Sequence, residues 1–119
     1  MVVEDLIRRA AEIIEEKKGA EITLIDLSDT TIPTSYFLIA SGENPKHVQA
    51  LAEELLDRMP IAPEHDEGLQ EGRWVLLDYG DFVVHLFDRE TRIFYDLEGL
   101  WADKIVDQPW HLPEDRQKA

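Results

Sequence analysis

The sequence predicts an α/β sandwich: a single domain in which helices pack on a mixed, mostly four-stranded sheet. Three observations carry that reading. Two segments, one near the N-terminus and one mid-chain, place apolar residues at helical spacing. Four short runs are rich in β-formers. The second helix lies between the second and third runs, where it can serve as a crossover. At 119 residues, 44% of them hydrophobic, the chain can bury one core without disulfide staples. The predicted order is α-β-β-α-β-β-α.

The first segment carries Val3, Leu6, Ile7, Ala10, Ile13 and Ile14 on one face. Arg8, Arg9, Glu12, Glu15 and Glu16 lie on the other, and Gly19 is suited to stop the helix. Glu21 to Leu27 reads as a strand, and Ser28 to Ser35, with Pro33, as a turn region. Tyr36 to Ala40 is a continuous apolar run, the mark of a central strand buried on both faces. Asn44 and Pro45 are suited to start a helix. Its stripe is Val48, Leu51, Ala52, Leu55, Leu56 and Met59, and Pro60 ends it. Residues 60–72 shift to proline, glycine and acids and read as a loop.

Trp74 to Asp78 and Phe82 to Phe87 are predicted to form an antiparallel hairpin. A two-residue turn at Tyr79-Gly80 would force Tyr79 to positive φ, so a wider turn is the alternative. Asp88 can cap a last helix whose apolar face is Ile93, Phe94, Leu97, Leu100 and Trp101. Residues 1–104 are expected to form the domain and 105–119 a C-terminal tail, on which Trp110 can dock.

Composition narrows the function. Twelve basic side chains face 26 acidic ones, a formal net charge of −14. Phosphate repels such a chain, so little direct nucleic-acid contact is expected, and basic partners are favoured. The same charge also serves solubility. Cysteine is absent, which excludes thiolate metal sites and thiol nucleophiles. The N-terminus carries Glu4 and Asp5 where a targeting segment would be basic. No apolar run approaches the roughly 20 residues that cross a bilayer. A soluble, cytoplasmic protein without membrane contact is expected.

Chemistry-bearing constellations are weak. Asp78, Asp81 and His85 could be read as a metal site, but residues three apart on a strand point to opposite faces. His85, between Val84 and Leu86, reads better as a core histidine. Ser41-Gly42 sits between a strand and a helix, where a phosphate could meet a helix N-terminus. No Asp-x-Asp pair follows on a strand to hold a divalent ion, and no phosphate loop is present. No catalytic residue, metal or cofactor is expected, and a phosphate-handling enzyme is the minor alternative. The remaining signal is aromatic: Trp74, Tyr79, Tyr95, Trp101 and Trp110 lie in the C-terminal half. If helices cover only one face of the sheet, some of these are exposed and suit a protein interface.

Three ordered stretches carry a family resemblance. SYFLIASGENPKHVQALAEEL (35–55), EGRWVLLDYGDFVVHLF (71–87) and RIFYDLEGLWAD (92–103) resemble the strand–Ser-Gly–helix segment, the hairpin and the final helix of the ribosomal silencing factor (Iojap-like) family. Leu38, where the family commonly has Val, and the Pro-rich 60–70 loop depart from its pattern. The resemblance implies a nucleotidyltransferase-like topology without that superfamily's catalytic residues. It implies binding to the large ribosomal subunit through ribosomal protein L14, which blocks joining of the small subunit when nutrients are scarce. It also implies a homodimer when the protein is free. With the aromatics and carboxylates of the hairpin, it places the partner surface at Trp74, Leu76, Asp78, Tyr79, Gly80, Asp81, Glu98 and Trp101. Tyr79 is expected there as an exposed anchor. Asp78, Asp81, Asp96 and Glu98 are expected to meet basic side chains of the partner.

Overall fold

In the computed structural model, which describes residues 2–106, the amphipathic N-terminal segment is helix α1 (Val3–Glu16). Leu6, Ile7, Ala10, Ile13 and Ile14 are buried, as their spacing predicts. A Schellman motif ends the helix: the Gly19 N–H donates to the Ile14 carbonyl at 2.8 Å and Lys18 N–H to that of Glu15 at 3.0 Å. Lys18 takes the left-handed position, at φ 70°. Gly19 is required for space, since a Cβ there would collide with Ile14 Cγ2.

The chain continues through β1 (Ala20–Asp26), β2 (Tyr36–Gly42), α2 (Pro45–Arg58), β3 (His65–Glu67), β4 (Trp74–Asp78) and β5 (Phe82–Asp88). Helices α3 (Arg89–Tyr95) and α4 (Leu97–Leu100) follow, and strand β6 (Ile105–Val106) closes the described portion. Asn44 caps α2 as expected, its side chain accepting from the His47 N–H at 2.9 Å. The sheet runs β3-β4-β5-β2-β1-β6. β2 pairs parallel with β5 and antiparallel with β1, so the apolar run is central. The remaining pairings are antiparallel.

Two core layers flank the sheet. Leu38, Ala40, Val75, Leu77, Val84 and Leu86 pack beneath α1 and α2. Ile25, Leu27, Ile39 and Phe87 form the opposite layer, with Phe37, Trp74, Leu97 and Trp101 packed against it. That second layer is covered by α3 and α4, only 7 and 4 residues long.

The architecture is the predicted α/β sandwich, with four corrections. The sheet has six strands where mostly four were expected. One addition, β3, lies in the segment read as loop: His65–Glu67 pairs with Leu76–Asp78, although all three residues are exposed. The other, β6, pairs with Leu24 and Ile25 inside the segment read as tail. Strands this short show no period in sequence and exist because an edge was open to pair with.

The hairpin turn lies one residue later than expected. Tyr79 faces Phe82, its N–H donating to the Phe82 carbonyl at 2.9 Å, and Gly80 alone takes positive φ, at 91°. That is the pattern of a type II′ turn, which relieves Tyr79 of any strain. Asp88 does cap the last helix, accepting from the Thr91 N–H at 2.8 Å. Asp96, at φ 46°, then divides the helix in two.

The apolar face expected for that helix is also split, with Leu97 and Trp101 on the core layer and the rest turned outward. Ile93 is 78% exposed, Phe94 79% and Leu100 70%, while Leu97 and Trp101 are only half-buried. The residue α3 turns inward is Arg92. Residues 107–119, including Trp110, lie outside the described residues. Among the described residues, no helix is long and apolar enough to cross a membrane.

Candidate partner-binding surface

Strand alternation decides which hairpin side chains meet. Val75 and Leu77 enter the core under α1 and α2, and Trp74, Leu76 and Asp78 therefore share the thinly covered face. There Trp74 stacks on Phe87 with ring centroids 5.0 Å apart and meets Tyr95 at 4.6 Å. A cleft of about 740 Å³ opens between β4 and α3, with Trp74, Leu76, Phe94 and Tyr95 supplying its apolar lining. Glu67, Glu71 and Glu90 line it too, against one base, Arg73. Ile93 and Leu100 add further exposed apolar surface on α3 and α4.

The other expected residues fall elsewhere. Tyr79 continues the Val75, Leu77 series into the helix-covered core, where it is 6% exposed and stacks on Phe82 at 4.9 Å. Its hydroxyl is buried without a partner, and burial pushes it up to about 12. Tyr79 is thus a core residue and not an exposed anchor. Asp78 shapes the turn, its Oδ1 accepting from the Gly80 N–H at 2.8 Å. A Cβ on Gly80 would meet only the movable end of the Glu64 side chain, so it is the left-handed φ that calls for glycine. Asp81 is exposed, and its carbonyl accepts from the Ser35 N–H at 2.9 Å.

Glu98 and Trp101 sit at the α4 end, Glu98 bonded to Arg92 and Trp101 against the Ile25–Phe87 layer. Of the expected set, the structure therefore brings Trp74 and Leu76 together at the cleft, and Trp101 packs on the same layer from the α4 end. Of the four carboxylates expected to face a basic partner, three have bonds at home: Asp78 in the turn, Asp96 to the Gly99 N–H, and Glu98 to Arg92. The acids at the cleft are Glu67, Glu71 and Glu90.

Sequence reasoning missed Ile93, Phe94 and Leu100 as surface residues. A signal existed: Ile93, Phe94 and Tyr95 are consecutive, and a 7-residue helix cannot turn three adjacent side chains to one side. It also missed Arg92, which is buried and donates to Glu98 Oε2 at 2.8 Å, Ser41 Oγ at 2.8 Å and Thr23 Oγ1 at 3.1 Å. This brace ties α3 to β1 and β2 beneath the exposed apolar residues.

The Ser41-Gly42 turn is occupied by the chain's own groups. Ser41 Oγ receives Arg92, and a Cβ on Gly42 would stand 2.9 Å from the Val48 nitrogen. Among the described residues, no three His, Asp or Glu side chains converge as metal ligands.

His85 is 4% exposed on the thinly covered face, and its Nδ1 accepts from Trp74 Nε1 at 3.0 Å. Burial lowers its pKa from the usual 6.5 to about 4. The native ring therefore stays neutral where the unfolded one takes up a proton. Stability from this group is full above 6.5 and declines as pH falls toward 4. The loss is about 3 kcal/mol across that window, from about 1.4 kcal/mol per pH unit. Exposed His65, raised by its bond to Glu67, shifts the opposite way. Urea unfolding of wild type and His85→Phe at pH 7.5 and 4.5 isolates the His85 part. The variant should lose clearly less stability on acidification, and parallel losses would refute the assignment.

The fold and this surface define a small α/β domain that carries an aromatic face rimmed with carboxylates. Comparison with known proteins gives its family. The family model described as "Ribosomal silencing factor during starvation" matches residues 2–119. The chain is 39% identical over 101 residues to the ribosomal silencing factor RsfS of Bacillus subtilis, covering 82% of this chain and 86% of that protein. A Chromobacterium violaceum crystal structure superposes with a TM-score of 0.80 at 33% identity, covering 86% of this chain and 88% of that one. The mouse mitochondrial assembly of ribosomal large subunit protein 1 is 29% identical over 115 residues, 87% of this chain and 50% of that protein. The chain belongs to the ribosomal silencing factor family, whose members are non-enzymatic ribosome-binding regulators.

Proposed function

We propose that this protein acts in the cytoplasm and represses translation by docking on the large ribosomal subunit through ribosomal protein L14, which bars the small subunit sterically, as in nutrient limitation. The observation that carries the reading is the cleft at Trp74 and Leu76 together with exposed Phe94, Ile93 and Leu100. Three carboxylates against one base at the cleft suit a basic protein surface, and the net charge of −14 disfavours RNA as the main contact. Family membership and the large-subunit name of the mouse relative support the choice of subunit. In the free protein the same apolar surface favours a homodimer, which would cover it.

Co-sedimentation with purified large subunits and a subunit-joining assay test the proposal. Wild type should pellet with large subunits and reduce joining. Phe94→Ala should weaken binding by about 2 kcal/mol, roughly 30-fold, as an aromatic anchor does. Because Phe94 is 79% exposed, its unfolding midpoint should not move. Wild-type affinity in that variant would remove α3 from the interface, and no binding by wild type would end the proposal.

A further inference from the structure

We infer that His85 is a positioning residue that sets the orientation of Trp74 and so shapes the cleft; this rests on the docking reading above. Trp74 is the one cleft residue that also reaches into the layer beneath, stacking on Phe87. An indole on an open face has several rotamers within reach. What distinguishes this one is a polar tie, the bond from Trp74 Nε1 to His85 Nδ1 at 3.0 Å.

The tie fixes the state of the imidazole. An indole nitrogen only donates, so Nδ1 must carry its lone pair and the ring proton must sit on Nε2. That Nε2 is buried with no partner, a cost that a phenyl ring in the same place would not carry. The ring is also held mechanically. Phe37 meets it edge-on at 4.5 Å, and Phe87 lies nearly parallel to it at 6.2 Å. Burial keeps it neutral by penalising the charged form, and neutrality preserves the tie, because an imidazolium would turn a second N–H toward the indole. Packing alone would therefore prefer phenylalanine at position 85. The feature that histidine adds is an acceptor aimed at Trp74.

Three full-length variants separate these roles. His85→Phe keeps the ring and loses the acceptor. His85→Asn keeps an acceptor near the Nδ1 position, and His85→Gln retains a polar group but no acceptor there. The Trp74 indole N–H resonance, assigned with a Trp74→Phe variant, reports the tie directly. His85→Phe and His85→Gln should shift that resonance and bind purified large subunits about tenfold more weakly, the scale of one lost hydrogen bond. His85→Phe should unfold at a denaturant concentration no lower than wild type. His85→Asn should keep the resonance near its wild-type position and bind within about threefold of wild type. Wild-type binding by both His85→Phe and His85→Gln would overturn the inference while leaving the docking reading intact. Absence of large-subunit binding by wild type itself would overturn the reading on which it rests.

Discussion

Tyr79→Ala is expected to destabilise the fold by about 4 kcal/mol, the cost of emptying a packed aromatic site. The ring is buried in the layer beneath α1 and α2 and lies nearly parallel to Phe82, 4.9 Å away. Truncation there leaves a cavity at the hairpin's closed end, where Phe82 loses its stacking partner. Any fall in ribosome binding by this variant would therefore follow from unfolding and say nothing about contact. Tyr79→Phe distinguishes the two. The hydroxyl is buried without a partner, so removing it should leave stability within about 1 kcal/mol of wild type, on the favourable side. Urea unfolding of both variants, beside large-subunit binding by Tyr79→Phe, checks the assignment. A stable Tyr79→Ala with lost binding would return Tyr79 to the partner surface.

The position of Tyr79 was legible. Val75, Leu77 and Tyr79 alternate with Trp74, Leu76 and Asp78, and a strand cannot send both sets the same way. Reading the hairpin as one aromatic cluster ignored that period. The two main helices were legible for the same kind of reason, since six buried residues of α1 recur on a single face. The run from Tyr36 to Ala40 announced a central strand by having no polar side. β3 and β6 were not legible, because His65–Glu67 and Ile105–Val106 hold no local pattern and depend on strands elsewhere in the chain. The outward turn of Ile93 and Phe94 on α3 was the deepest failure. Helical spacing predicted one stripe, but Asp96 breaks the helix, so Leu97 and Trp101 reach the core layer while Ile93, Phe94 and Leu100 face solvent. The position next to the sheet went to an arginine whose partners, Thr23 and Ser41, lie 69 and 51 residues away. Periodicity assigns apolar residues inward by default, and an interaction surface departs from that default.

Arg92→Ala should cost about 3 kcal/mol, at the lower end of what breaking a buried ion pair costs because Glu98 is partly solvated. The Arg92 side chain is 7% exposed and that of Glu98 27%. Without the guanidinium, Ser41 Oγ and Thr23 Oγ1 lose their donor, and Glu98 keeps a buried Oε1 with no partner. Arg92→Lys should recover only part of the loss, since an ammonium lacks the planar fork that reaches all three acceptors. Arg92→Met with Glu98→Leu should be more stable than Arg92→Ala, because the stranded carboxylate is gone as well. The functional consequence comes from what the brace carries. α3 displays Ile93 and Phe94 to solvent, so its own packing is thin and Arg92 is its one buried residue. Amide exchange over residues 89–101 should accelerate in Arg92→Ala more than in β2 or β5, a sub-global opening confined to this corner. Large-subunit binding should then fall by more than the 30-fold expected for Phe94→Ala, because a loosened helix must be ordered again on docking. Uniform acceleration of exchange across the sheet would show that Arg92 supports the whole domain, and unchanged binding would detach α3 from recognition.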